Sequence, residues 1–154
     1  MRLALAEARL AEEAGEVPIG AVVVCNGEVI ACAHNTRETD RNPAGHAEFS
    51  ALLAAAKALD AWRLSDCTVY VTLEPCIMCA GLMHQARIAR CVYGAADPKA
   101  GALGSLYEIH RDTRLNHTFA VEAGVLEDEC ASILKAFFAA KRAQNKQKKK
   151  EICS

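Results

Sequence analysis

The sequence predicts one α/β domain in which helices cover both faces of a single sheet. Short β-branched segments alternate with helical segments along most of the chain, which is the order that α/β folds show. A chain of 154 residues with 52% hydrophobic and 24% charged residues has the composition of one globular domain with one core. Repeats and linkers are absent from it. We therefore expect one domain over residues 1–142, followed by a basic, flexible tail over residues 143–154.

The first elements are a helix and a β-hairpin. Apolar residues recur at helical spacing in LALAEARLAEEAG, residues 3–15, and Gly15 can end that helix in a left-handed conformation. Residues 19–35, IGAVVVCNGEVIACAHN, contain two β-branched runs joined by Asn26-Gly27. Because both residues of this dipeptide tolerate positive φ, they favour a tight hairpin.

The remaining elements continue the alternation. HAEFSALLAAAKAL, residues 46–59, has no helix breaker and predicts a helix, whereas CTVYVTL, residues 67–73, predicts a buried strand. Residues 75–86, PCIMCAGLMHQA, predict a helix that begins at a proline. IARCVYGA predicts the next strand, an irregular loop follows to about His117, and TFAVEAG predicts a short strand. DECASILKAFFAAKR predicts the last helix.

The sequence also indicates the cellular compartment and the redox state of the cysteines. No apolar segment approaches the roughly 18 residues of a membrane span, and MRLALAEARLAEE is too acidic for a signal or transit peptide. We therefore expect a cytoplasmic protein without membrane contact. The cysteines lie in apolar runs, so we expect reduced thiols rather than a disulfide framework. The expected core thiols are Cys25, Cys32, Cys67, Cys91 and Cys130, and Cys153 is expected to be a tail thiol.

The charge is distributed unevenly. KRAQNKQKKK, residues 141–150, contains basic residues and no acidic residue, whereas the net charge of the whole chain is −1. The rest of the chain is therefore acidic. A basic terminal segment is either an ordinary solvated segment or a surface that holds nucleic acid, and the sequence leaves both interpretations open.

Two cysteines, Cys76 and Cys79, follow Pro75 where the predicted strand gives way to a helix. Cys-x-x-Cys occurs in redox couples, in structural and catalytic zinc sites, and as inert thiols. At a helix N-terminus, unpaired N–H groups and the helix dipole favour thiolates, which are the form that binds metal. A structural zinc site needs four protein ligands, and the chain offers one obvious histidine, His46, beside one cysteine pair. Three ligands with an open fourth position are typical of a catalytic zinc.

His46-Ala47-Glu48 followed by Pro75-Cys76-x-x-Cys79 is the signature of zinc-dependent deaminases. The wider set of motifs is EVPIGAVVV, AHN, HAE, TLEPCIMCAG, GAADPKAGALGSL and GVLEDEC. From about Glu16 to Lys141, the chain resembles the family of bacterial tRNA-specific adenosine deaminases. The resemblance implies a three-layer α/β/α cytidine-deaminase-like fold, with a central mixed sheet of about five strands flanked by helices.

The activity implied by the resemblance is hydrolytic deamination of adenosine to inosine at the wobble position of the tRNA anticodon. His46, Cys76 and Cys79 would bind one Zn²⁺ per subunit, and zinc lowers the pKa of a bound water towards neutrality. Glu48 would be catalytic. Its carboxylate would take a proton from the water, deliver it to ring nitrogen 1 of adenine, and help to protonate the departing amine.

The resemblance also implies a set of substrate-contacting residues: Val17, Pro18, Asn35, Leu73, Asp97 and Lys99. Asn35 would contact the flipped nucleoside, three apolar residues would form the pocket walls, and the loop after Tyr93 would meet the RNA backbone. Without the family, ordinary packing would explain the apolar residues and a strand-ending turn would explain Asn35. The implied partners are the anticodon stem-loop of tRNA and a second copy of the chain in a homodimer.

The chain departs from the usual family pattern at Ala44, Gly45, Leu82 and Ala96, none of which is an expected metal ligand. Two alternatives follow from the zinc signature alone. One is a deaminase of a free base or nucleoside, such as cytidine or guanine. The other is an inactive RNA-binding partner subunit, which would have no need to retain Glu48.

Overall fold

The computed structural model describes residues 1–152, which contain helices and strands in the order that the sequence predicts. The elements are α1 (Arg2–Glu13), β1 (Gly20–Cys25), β2 (Glu28–His34), α2 (Ala47–Ala58), β3 (Cys67–Leu73), α3 (Ile77–Gln85), β4 (Arg90–Ala95), β5 (Ala120–Glu122) and α4 (Glu127–Ile152). A short 3-10 turn, Ile109–Arg111, lies in the long loop between β4 and β5. The α/β prediction is confirmed.

The strands form one mixed sheet in the order β2-β1-β3-β4-β5. β1 pairs antiparallel with both β2 and β3, whereas β3, β4 and β5 run parallel. The predicted hairpin turn is present, because Asn26 and Gly27 have φ values of 50° and 83°. These strand directions bring the start of β1 and the ends of β2, β3 and β4 to the same edge of the sheet.

Helices cover both faces of the sheet. α1 and α4 pack on one face, and α2 and α3 pack on the other. Val69 and Val71 of β3 join the main core together with Leu52 of α2 and Met83 of α3. On the other face, a Cβ atom at Gly20 would overlap the carbonyl oxygen of Ala4, so only glycine allows α1 to approach β1 so closely.

The last helix is longer than the sequence predicts. DECASILKAFFAAKR predicts a helix as far as Arg142, whereas α4 continues without interruption to Ile152. Alanine, lysine and glutamine are strong helix formers, and no glycine or proline interrupts residues 143–152. Side chains of residues 138–151 are exposed. Among the residues described, no helix is both long enough and apolar enough to cross a bilayer.

The cysteines within residues 1–152 are free thiols. Cys67, Cys91 and Cys130 are buried as predicted, and Cys25 is partly buried. Cys32 is exposed, which corrects its assignment to the core, because it lies on the edge strand β2. The predicted tail thiol, Cys153, lies outside the described residues.

Candidate metal centre and active site

The three predicted metal ligands meet at the sheet edge where β3 ends. Nδ1 of His46 lies 3.6 Å from Sγ of Cys76 and 3.6 Å from Sγ of Cys79. All three ligand atoms lie within 4.8 Å of one another. A tetrahedral Zn²⁺ with ordinary bond lengths separates a nitrogen and a sulfur ligand by roughly 3.5 Å. The distances from the imidazole nitrogen to the two sulfur atoms therefore suit one zinc ion.

Two helix N-termini hold these ligands. His46 is the extended residue immediately before α2, and Cys76 occupies the same position before α3. Cys79 lies in the first turn of α3. The carbonyl oxygens of His46 and Cys76 accept the first helical hydrogen bonds, from Ser50 at 3.0 Å and Ala80 at 2.9 Å. Both helix dipoles thus favour negative charge at the centre, as thiolate ligands require.

Hydrogen bonding already favours a thiolate at Cys76. Its sulfur accepts hydrogen bonds from the Cys79 thiol and the His46 imidazole, which lowers the pKa of Cys76 to about 3. The same contacts raise the pKa of Cys79 and of His46, because each holds its proton against the Cys76 thiolate. A metal ion that replaced these protons would keep the same three atoms in place.

Glu48 lies in the first turn of α2, two residues after His46, and only 4% of its surface is exposed. Burial raises the pKa of its carboxyl group above the usual value, although hydrogen bonds to its own backbone and to Cys79 oppose the shift. A carboxylate with a raised pKa accepts a proton more readily near neutral pH. The position and chemistry of Glu48 therefore suit a proton shuttle beside the metal ligands.

Asn35 follows β2 and is buried next to the start of α2. Its side-chain Oδ1 accepts a hydrogen bond from the Ala47 backbone N–H at 3.0 Å, and its own backbone N–H donates to Ile19 at 3.1 Å. Since the amide oxygen is used in this way, the NH₂ group of Asn35 is the part that can donate to a ligand. Asn35 thus both ends β2, as a turn residue would, and lies beside His46.

The predicted wall residues lie at the same sheet edge. Pro18 is fully buried two residues before β1, and Val17 is partly buried. Leu73, the last residue of β3, is also partly buried, and it packs against Leu5, Ala95 and Cys130. Packing against α1 and α4 thus accounts for part of the burial of the Leu73 side chain.

Asp97 and Lys99 lie in the loop after β4, but their side chains have different surroundings. The Asp97 carboxylate accepts hydrogen bonds from the backbone N–H groups of Lys99 and Ala100, at 3.0 and 3.2 Å, and so shapes its own loop. Lys99 is exposed and lines a groove of about 360 Å³ together with residues of α4: Leu134, Lys135, Phe138 and Arg142. The structure thus brings this loop next to the basic helix.

Two buried glutamates near the centre were not predicted. Glu16 and Glu74 are each only 2% exposed. Glu16 accepts a hydrogen bond from the Thr39 backbone N–H at 2.7 Å, and Glu74 accepts hydrogen bonds from the loop that contains Asp97. Each carboxylate therefore anchors one loop beside the metal centre. Their sequence signal is a glutamate one or two residues before a proline next to a strand, in EVPIG and LEPC.

Comparisons with known proteins agree with this architecture. The family of MafB19-like deaminases matches residues 1–142. The chain is 50% identical over 152 residues to the tRNA-specific adenosine deaminase of Bacillus subtilis (strain 168), covering 99% of this chain and 94% of that protein. A solved structure from a study of A-to-I editing by tRNA A34 deaminases at the wobble position has a TM-score of 0.84 and 46% identity. The match covers 87% of this chain and 97% of that one.

A more distant similarity connects the chain to a base deaminase. The solved structure of guanine deaminase from Nitrosomonas europaea has a TM-score of 0.73 and 26% identity, and it covers 88% of this chain and 81% of that one. The likeness to both solved structures confirms the predicted three-layer α/β/α arrangement.

Proposed function

The chain belongs to the family of tRNA-specific adenosine deaminases and has their cytidine-deaminase-like fold, and from this membership we propose that it converts adenosine to inosine at the wobble position of the tRNA anticodon. The reaction is a hydrolysis in which adenosine and water give inosine and ammonia. The observation that carries the proposal is the convergence of His46, Cys76 and Cys79 beside the buried carboxylate of Glu48.

The proposed cofactor is one Zn²⁺ per subunit, bound by Nδ1 of His46 and the Sγ atoms of Cys76 and Cys79. When bound, zinc acts as a Lewis acid that lowers the pKa of a coordinated water. The donor set supports this assignment, because two thiolates and one imidazole are ligands that zinc prefers. Three protein ligands leave the fourth position of a tetrahedral ion for water.

Glu48 moves the protons in the proposed reaction. Its carboxylate accepts a proton from the attacking water and passes it to nitrogen 1 of the adenine ring as the oxygen adds to carbon 6. The same carboxyl group then helps to protonate the amine, which leaves as ammonia. The buried position of Glu48 supports this role, since solvent would otherwise exchange protons with it freely.

Substrate contacts are proposed from the surroundings of the centre. The NH₂ group of Asn35 would donate to the nucleoside, and Val17, Pro18 and Leu73 would line its pocket. Asp97 would hold its loop in place while Lys99 contacts the RNA backbone, with the anticodon stem-loop of tRNA as the partner. The activity would take place in the cytoplasm.

A homodimer is also proposed, and an exposed apolar groove supports it. Leu53 and Trp62 are 54% and 61% exposed, and they line a groove of about 230 Å³ together with Leu82. Exposed apolar surfaces of this kind commonly mark protein interfaces. The groove lies between α2 and α3, towards the C-terminal ends of these two helices.

A guanine or other base deaminase is the second candidate, because the Nitrosomonas europaea enzyme shares the fold. The experiment that separates the candidates is incubation with an anticodon stem-loop containing adenosine, with free adenosine and cytidine, and with free guanine, followed by chromatographic analysis. We expect inosine from the stem-loop. Uridine from cytidine or xanthine from guanine, without inosine from RNA, would identify a base or nucleoside deaminase. No product from any substrate would favour the inactive partner subunit.

A further inference from the structure

Glu74 is a buried carboxylate whose hydrogen bonds all come from one loop. Oε2 accepts the backbone N–H of Asp97 at 2.9 Å, and Oε1 accepts the backbone N–H groups of Leu103 and Ser105 at 3.1 and 2.9 Å. The Ser105 hydroxyl also donates to Oε2. Both ends of the segment 97–105 are thus bound to one side chain.

Backbone contacts tie the same residue to the metal-binding turn. Glu74 lies two residues before Cys76, and its backbone N–H donates to Ala95 at 2.8 Å. The Ala102 N–H donates to the carbonyl oxygen of Pro75 at 2.9 Å, and Cys76 and Gly101 form an isolated antiparallel bridge. The loop therefore contacts the turn through both backbone and side chain.

The fit between the carboxylate and the loop is close. A Cβ atom at Gly101 would overlap the carboxyl group of Glu74, so the absence of a side chain there allows the loop to wrap around it. Within the loop, the Gly101 N–H donates to the carbonyl oxygen of Asp97 at 2.8 Å. This turn presents Lys99 to solvent, beside the groove along α4.

We propose that Glu74 is a positioning residue that fixes the loop 97–105 against the Cys76 turn, and so holds this loop in position to bind RNA beside the metal centre. The inference rests on the proposed function. An uncompensated buried carboxylate is strongly unfavourable, so the hydrogen bonds from the loop are what allow Glu74 to remain in this position. The loop in turn depends on Glu74, because one side chain binds the backbone at both of its ends.

The test is Glu74→Gln, which keeps the volume of the side chain but replaces one oxygen with an NH₂ group. That group faces backbone N–H donors and cannot accept their hydrogen bonds. We expect about one zinc per chain as in the wild type, a KM for the stem-loop raised by about tenfold or more, and kcat within about threefold of the wild-type value. Amide hydrogen exchange should accelerate selectively at Asp97, Leu103 and Ser105.

Two further variants make the test independent of the folding of Glu74→Gln. Ser105→Ala removes only the hydroxyl donor and should raise KM by a smaller factor in the same direction. Ile88→Val removes one methyl group from a fully buried side chain elsewhere in the core, and it controls for a general loss of stability. It should leave both KM and kcat unchanged.

Several outcomes would overturn the inference. Wild-type KM in both Glu74→Gln and Ser105→Ala would show that the loop does not need this carboxylate to hold RNA. Loss of zinc with a matching fall in kcat would show that Glu74 supports the metal turn instead. If the wild-type protein forms no inosine from the stem-loop, the proposed function fails as well, and that result is recognised before any variant is compared.

Discussion

The side-chain oxygen of Asn35 accepts a hydrogen bond from the backbone N–H of Ala47 at 3.0 Å, and this contact joins the end of β2 to the start of α2. His46 and Glu48 flank Ala47 on either side. Asn35 therefore positions the helix start that carries His46 and Glu48, and its NH₂ group is the proposed donor to the substrate.

These two roles can be separated by substitution. Asn35→Asp keeps an oxygen acceptor for the Ala47 N–H but loses the NH₂ donor, so we expect normal zinc content and a loss of kcat/KM of about 10- to 100-fold. Asn35→Ala loses both groups and should also lower the free energy of unfolding by about 1–3 kcal/mol. Kinetics with the stem-loop and urea denaturation measure the two effects. Equal stability of both variants would show that the Ala47 contact contributes little.

Metal binding gives a second prediction. We expect about one zinc per chain by elemental analysis, and loss of that zinc in Cys76→Ala and Cys79→Ala. Cys91→Ala is the matched control for Cys79→Ala, because Cys91 is as fully buried as Cys79 but lies on β4 and is not one of the three proposed ligands. Zinc-free protein purified without chelators would contradict the assignment, as would a Cys76–Cys79 disulfide formed under cytosolic redox conditions.

The proton shuttle gives a third prediction. Glu48→Ala should retain zinc and RNA affinity but lose turnover by about 10²- to 10⁴-fold, because only proton transfer is removed. Glu28→Ala, which changes an exposed glutamate on β2, should leave turnover unchanged. Near-normal deamination by Glu48→Ala would exclude Glu48 as the shuttle and would require another base at the centre.

The sequence predicted local features well, because their causes are local. The hairpin depends on two residues that adopt positive φ, Asn26 and Gly27, and both do so. The three proposed metal ligands belong to short motifs at helix starts, and a helix start can be recognised from a few neighbouring residues. In the folded chain, the side-chain ligand atoms of these three residues lie within 4.8 Å of one another.

The features that were missed depend on distant contacts. Glu16 binds a residue 23 positions away, and Glu74 binds Ser105, which is 31 positions away. Only the folded sheet, with its strand order β2-β1-β3-β4-β5, brings these partners together. The helical form of residues 143–152 is not specified by charge, because a run of basic residues is compatible with either a helix or a solvated coil.

Glu16 gives a prediction for the pH dependence of stability. Burial alone would raise the pKa of Glu16, but hydrogen bonds from Thr39 and Glu38 outweigh it, so the pKa lies below the usual value. A lowered folded-state pKa adds stability above the unfolded-state pKa, and that stability is lost as the pH falls through the folded-state pKa. The difference in unfolding free energy between wild type and Glu16→Gln should therefore shrink as the pH falls from about 6 to about 3.

Urea denaturation at several pH values tests this prediction, and the comparison with Glu16→Gln removes the effect of metal release in acid. Glu13→Gln, which changes an exposed glutamate on α1, should follow the wild-type curve. A difference that grows on acidification would mean that the folded-state pKa of Glu16 lies above its unfolded value.

The last prediction concerns the basic end of α4. The rest of the chain is acidic and should repel a polyanion, so an enzyme that acts on tRNA needs local positive charge, and residues 141–150 are its densest source. These basic residues lie on the part of α4 that continues beyond the groove lined by Lys99, Lys135 and Arg142. A chain truncated after Ala140 should bind every RNA more weakly, with a shallower salt dependence, unchanged zinc content and little change in kcat at saturating substrate.

A full-length variant with Lys146, Lys148 and Lys149 changed to glutamine keeps the length of α4 and separates charge from structure. Stem-loop affinity measured across a salt series tests whether the basic side chains bind phosphates. The slope of log K against log salt is negative, and its magnitude should decrease by about 0.7–0.9 for each phosphate that the protein no longer neutralises. Superimposable lines for the wild type, the truncated chain and the glutamine variant would mean that the body of the domain holds the RNA. The next residues to change would then be Lys99, Arg111 and Arg114.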